Sequence, residues 1–203
     1  MEPFQHLESV AMPLLRDNID TDIIIPSREI RSVTKRGLAD GLFAGWRYID
    51  VDRRIPDPSF VLNDTRYRAA AILLAGANFG CGSSREHAVW ALVEFGFRAI
   101  IAPSFGPIFR ANCIRNGILP VTLAPEPIAN AHVPVRIDLL AMTVSAGADI
   151  WPFALDAEDR NMLLNGLDAI DLTMLHTEKI EAFRIADRKR RPWAYRQNSD
   201  GLG

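Results

Sequence analysis

The sequence predicts an α/β fold whose sheet is at least partly parallel, and three observations in the middle of the chain carry that prediction. Residues 69–75 form a compact apolar run that breaks at a glycine-rich turn, Gly76-Ala77-Asn78-Phe79-Gly80-Cys81-Gly82. Behind the turn, Ala88, Ala91, Leu92 and Phe95 fall at i, i+3, i+4 and i+7, the spacing that lines one face of a helix, and Gly96 stands where a helix stops. A second cycle follows. Ala99-Ile100-Ile101-Ala102 reads as a buried strand closed by Pro103, Ser104 is placed to cap a helix running through Ile108, Ala111 and Ile114 to Asn116-Gly117, and residues 118–123 are extended again. Strand, helix, strand, helix, strand is the order of a parallel sheet with crossover helices.

The flanks are read with the same rules. The first third is punctuated by turn residues at Asp17-Asn18, Gly37, Asp40-Gly41, Gly45 and Pro56-Asp57-Pro58. Between them Asp22-Ile23-Ile24-Ile25-Pro26 reads as a short buried strand, and residues 57–63 as a further extended piece. After Pro134 the alternation of Val135, Ile137 and Leu139 predicts one more strand, and residues 156–167 and 178–191 read as helices. A chain of 203 residues with 48% hydrophobic content is expected to form one domain over residues 1–203.

Composition narrows the function. A net charge of -2 gives no global attraction for nucleic acid or an anionic membrane. Arg184, Arg188, Lys189, Arg190 and Arg191 crowd the C-terminal end, where a solvated tail is the simpler reading than a phosphate-binding patch. Residues 1–10 lack the basic start and apolar centre of a secretory signal, and the longest apolar run, residues 69–77, falls short of the roughly 20 residues that span a bilayer. The two cysteines, Cys81 and Cys113, have no paired spacing, so neither a disulfide framework nor a zinc site is indicated and a cytoplasmic address is expected. Two thiolates are also too few for an iron-sulfur cluster.

The chemistry is concentrated in Gly80-Cys81-Gly82-Ser83-Ser84-Arg85-Glu86-His87. Glycines let a ligand approach the main chain, and the following helix points its free N–H groups and positive dipole end back at whatever the loop holds, which favours an anion. Two serines and an arginine add hydroxyl donors and a two-point carboxylate clamp. The plainer alternative makes Ser83 or Ser84 a helix cap and Arg85 a surface residue. A phosphate-binding P-loop is excluded because Gly82 is followed by Ser83 rather than lysine, and a nucleophile elbow because Glu86 sits where Ser84 would need glycine. Cys81 with His87 lacks the third, orienting group of a thiol nucleophile.

Asn78-Phe79-Gly80-Cys81-Gly82-Ser83-Ser84-Arg85-Glu86-His87-Ala88 resembles the signature of the aconitase swivel-domain family, in the form carried by the separate small subunits of isopropylmalate isomerases. Asn18-Ile19-Asp20-Thr21-Asp22-Ile23-Ile24-Ile25-Pro26 and the stretch from Ile101-Ala102-Pro103-Ser104-Phe105 through Asn112 to Ile118-Leu119-Pro120-Val121 are similar to the same family. So are Leu42-Phe43, Trp46-Arg47-Tyr48, Asn63 with Tyr67, and Asn165-Gly166-Leu167-Asp168 through Leu172-Thr173. The resemblance runs from about residue 18 to about residue 181 and leaves the basic tail, residues 184–203, outside it.

That resemblance implies an aconitase-like swivel domain, a mixed sheet or barrel flanked by helices. It implies a hydro-lyase of leucine biosynthesis that converts 2-isopropylmalate to 3-isopropylmalate through an alkene, active only with a large subunit carrying a 4Fe-4S cluster, and no cofactor or metal bound by this chain. Ser83 corresponds to the base that removes the carbon-bound proton, and Ser84 and Arg85 to substrate-carboxylate contacts. Thr21 and Asp22 match a motif beside the same cleft, with a turn and strand start as their alternative role. Arg28 lies in the stretch that selects the substrate's side group. Ser27-Arg28-Glu29-Ile30 departs from the usual small or basic residue followed by an aromatic and leucine, which keeps homocitrate, citramalate and dimethylmalate open as substrates. A noncatalytic anion-binding module is the rival from another class. His87 and Trp90 are assigned to packing.

Overall fold

A computed structural model describes residues 1–30, 34–82 and 85–195. By its contacts the chain divides into two compact units, Met1–Leu167 and Asp168–Gly203. In chain order the first holds β1 (His6–Ser9), β2 (Ala11–Leu14), α1 (Thr21–Ile24), α2 (Ala44–Arg47), β3 (Tyr48–Asp50), β4 (Ile55–Pro56), β5 (Ile72–Ala75), α3 (Glu86–Phe95), β6 (Ala99–Ala102), α4 (Pro107–Arg115), β7 (Leu119–Thr122), α5 (Glu126–Asn130), β8 (Val135–Asp138), β9 (Thr143–Ala146), β10 (Asp149–Pro152) and α6 (Ala157–Asn165).

Two four-stranded sheets organise this unit. β2, β5, β6 and β7 lie side by side in that order, all parallel. β1, β8, β9 and β10 form an antiparallel sheet, and the chain steps from one sheet to the other at Val10, between β1 and β2. The mixed α/β class expected from the sequence therefore holds. Every residue of β5 and β6 is buried, as expected for parallel strands covered on both faces. Strand β8 instead alternates buried and open positions, so one face packs and the other meets solvent. Helix α3 closes on Gly96, whose φ of 119° is the left-handed conformation that lets its N–H reach back to Leu92 and Val93.

The second unit holds α7 (Ala169–Met174) and α8 (Thr177–Arg190). Helix α7 opens on a reciprocal cap in which Asp168 accepts the Asp171 N–H and the Asp171 carboxylate accepts the Asp168 N–H. Helix α8 buries none of its residues.

Three local expectations are corrected. Residues 22–26 are not a strand: Asp20 accepts the Ile23 N–H at 2.7 Å and starts α1 instead, because a side-chain cap at that position offers the isoleucines a helical turn. Residues 57–63 are not extended throughout. Asp57 accepts both the N–H and the hydroxyl of Ser59, at 2.8 and 2.7 Å, and bends the chain into a 3-10 turn over Val61–Asn63. Ser104 does not cap α4. That helix starts at Gly106 with Pro107 in its first turn, and the Ser104 hydroxyl accepts the N–H of Asn78 at 2.8 Å.

Candidate functional site

Three parallel strands deliver their carboxyl ends to one place, the position where open α/β sheets bind ligands. The segment leaving β5 is stitched to the segments leaving β2 and β6. On the β2 side, Asp17 accepts the Ala77 N–H at 2.7 Å, Gly80 N–H donates to the Ile19 carbonyl at 2.7 Å, and Thr21 N–H donates to the Cys81 carbonyl at 3.1 Å. On the β6 side, Phe79 N–H donates to the Ser104 carbonyl at 3.0 Å and Gly106 N–H to the Phe79 carbonyl at 2.8 Å. The glycine turn thus runs between those two segments, joined to them by isolated parallel bridges at Asp20 with Cys81 and Phe79 with Phe105.

Two glycines, Gly80 in the turn and Gly106 at the start of α4, are sterically required. Gly80 has φ of 72°, and a Cβ there would run into the Phe109 ring. Gly106 approaches so closely that an added Cβ would sit 2.5 Å from the Gly80 carbonyl oxygen. Between the turn, α1 and the start of α4 lies a cleft of about 140 Å³, lined among others by Thr21, Gly80, Cys81, Gly82 and Arg85 on one side and Gly106 through Phe109 on the other.

The residues singled out from sequence divide as follows. Ser83 and Ser84 lie outside the described residues. Arg85 is the N-cap of α3, and its guanidinium Nη1 donates to the Asp22 carboxylate in an ion pair. Thr21, buried, and Asp22, exposed, are the first two residues of α1, and the Ser27 hydroxyl also donates to Asp22 at 3.4 Å. The fold therefore brings Thr21, Asp22 and Arg85 together from positions more than sixty residues apart in the chain. Arg28 is not in this group. Its side chain is 60% exposed on a turn after Pro26, with Nε 3.7 Å from the carboxylate of its neighbour Glu29. The cleft wall formed by Gly106, Pro107, Ile108 and Phe109 was missed by the sequence reading, although Gly-Pro at a helix start was a visible signal.

The family model described as the aconitase C-terminal domain matches residues 1–126. The small subunit of 3-isopropylmalate dehydratase from Cupriavidus necator is 55% identical over 96% of this chain and 99% of its own length. The small subunit from Rhodospirillum centenum is 46% identical over the same shares. The chain belongs to the family of 3-isopropylmalate dehydratase small subunits. Among solved structures, 3-isopropylmalate dehydratase from Methanocaldococcus jannaschii superposes with a TM-score of 0.67 at 27% identity, covering 88% of this chain and 99% of that one.

In this family member the thiols occupy unlike surroundings. Cys113 is fully buried in α4, and burial pushes its thiol well above the ordinary value, whereas Cys81 is half-buried at the cleft. Among the described residues no three His, Cys, Asp or Glu side chains converge as metal ligands. With one thiol at the cleft and the other sealed in the core, these residues do not fit a four-iron cluster. The His87 and Trp90 rings meet at 4.7 Å, tilted by 60°, and Trp90 donates its indole N–H to Asn116 at 3.0 Å, which ties α3 to the end of α4. No helix among the described residues is long and apolar enough to cross a membrane.

Proposed function

We propose that this chain is the small subunit of a cytoplasmic hydro-lyase that isomerises 2-isopropylmalate to 3-isopropylmalate by dehydration and rehydration, in leucine biosynthesis, and that it works only with a large subunit expected to carry the 4Fe-4S cluster. The observation that carries the reading is the Arg85 guanidinium at the rim of the glycine-turn cleft, already bonded to a carboxylate, that of Asp22. Arginine offers five donors and Asp22 engages Nη1, so a substrate carboxylate can share the guanidinium or displace Asp22. Thr21 borders the same cleft and Asp22 orients Arg85. Ser84 adds a second donor to the substrate carboxylate, and Arg28 selects the substrate's side group.

Ser83 takes the carbon-bound proton. A free hydroxyl is far too weak an acid to act as an alkoxide near neutral pH, so the site must stabilise that charge with the α3 dipole and Arg85, in a space the partner closes to water. The dehydration step at the hydroxyl is left to the partner.

Reconstitution tests the reading. The purified chain, a family large subunit and the loaded pair are assayed with 2-isopropylmalate by the absorbance of the alkene. Turnover is expected from the pair alone. Turnover by the isolated chain, or a pair that ignores isopropylmalate while dehydrating another hydroxy acid, overturns the assignment.

A further inference from the structure

Helix α3 carries Arg85 at its start and Glu94 in its last turn, about 14 Å away at 1.5 Å per residue. The Glu94 carboxylate accepts three consecutive backbone N–H groups, from Gly37 at 2.6 Å, Leu38 at 2.5 Å and Ala39 at 2.9 Å. A second tie lies beside it: Lys35 donates to Asn116 at 3.2 Å and sits 5.3 Å from the centre of the Trp90 ring. The stretch from residue 34 to 41 is therefore fastened to the face of α3 and α4.

Its far end abuts the turn that bears Arg28. Gly41 packs so closely on Glu29 that an added Cβ would lie 2.6 Å from the Glu29 Cβ. Glu29 is itself buried and ion-paired with Arg54, and Arg54 also reaches Asp40 at 3.1 Å. A continuous chain of contacts thus runs from Glu94 through residues 37–41 to Glu29, next in sequence to Arg28. Burial raises the Glu94 carboxyl, but the three N–H donors and nearby Arg36 more than offset this, and it titrates below the ordinary glutamate value.

We propose that Glu94 is a positioning residue for substrate selection, holding residues 37–39 on α3 and thereby setting the Glu29–Arg28 turn relative to Arg85. The proposal rests on the reading of this chain as an isopropylmalate isomerase subunit. Glu94 touches no substrate. Its work is to hold the side-group wall at a constant distance from the carboxylate clamp on the same helix.

The test uses the full chain as wild type, Glu94→Gln and Glu94→Ala, with two readouts. Amide hydrogen exchange in the chain alone reports the latch directly: Gly37, Leu38 and Ala39 should exchange at least about tenfold faster in Glu94→Ala, since each loses its acceptor. Kinetics of the loaded pair report its purpose. The KM for 2-isopropylmalate should rise about tenfold in Glu94→Ala with kcat within about twofold, the pattern of lost ground-state binding. Preference over a methyl-bearing analogue such as citramalate should shrink. Glu94→Gln keeps an acceptor oxygen in the same volume and should fall between, and it stands in if the alanine variant does not fold. An unchanged KM in both variants, or a fall in kcat at constant KM, overturns the proposal. A wild-type pair inert toward isopropylmalate is the separate failure of the functional reading, seen before any variant is compared, and takes this proposal with it.

Discussion

The parallel and antiparallel sheets of the first unit are of equal strand number, yet only one of them builds the site. Parallel strands all leave the sheet at the same edge, so β2, β5 and β6 send their following segments to one place, where these lace together around the glycine turn. Antiparallel neighbours leave at alternate edges. Strands β8, β9 and β10 are joined by short turns at opposite ends, and none of their residues lines the cleft. The lesson is topological: strand direction decides which half of the molecule can gather chemistry, and the other half contributes stability.

Ser83→Ala should break that division most sharply. In the reconstituted pair, turnover should fall by about a thousandfold or more with little change in KM, because a proton-transfer interaction exists only in the transition state. Circular dichroism and partner binding should match wild type. Near-normal turnover would reduce the turn to an anion cradle.

Arg85→Lys should have the next largest effect, and of a different kind. Lysine keeps the charge but loses the planar fork, so apparent affinity should weaken by about 2–3 kcal/mol while kcat falls less. The comparison of KM with kcat distinguishes the two residues on one helix start. Loss of kcat alone would mean that Arg85 acts on the reacting atoms rather than on a carboxylate.

Legibility cut across that division: β8 showed its alternation although it lies in the antiparallel sheet, and β2 of the parallel sheet, AMPL, gave no signal. Strands β5 and β6 are covered on both faces and so read as unbroken apolar runs, and α3 showed its period and its stop glycine. Strands β1, β9 and β10 were not read at all. Their sequences, HLES, TVSA and DIWP, are short and half-exposed, and β1 finds its partner β8 only about 130 residues later in the chain. The isoleucines at 23–25 misled because β-branched apolar residues favour strands, and a single capping contact from Asp20 outweighed them. Residues 78–88 carried the resemblance that singled out Arg85 and residues 18–26 the one that singled out Thr21 and Asp22, and the structure brings these three together. The α4 wall escaped because Gly106 matters only once folding brings it against Gly80.

The smallest kinetic effect should come from the antiparallel half. Val144, in the middle of β9, is fully buried and pairs in register with Ile137 of β8 on one side and Trp151 of β10 on the other. Val144→Ala removes two methyl carbons from a packed interior and should cost about 2–3 kcal/mol of stability by transfer and cavity terms together. Because no residue of that sheet lines the cleft, kcat and KM of the reconstituted pair should stay within about twofold of wild type at a temperature where the variant is folded. Chemical denaturation measures the first quantity and steady-state kinetics the second. A loss of kcat beyond the loss of folded protein would show that strain in the antiparallel sheet reaches the glycine turn, through Val10 where β1 hands the chain to β2, and that the two halves are mechanically coupled.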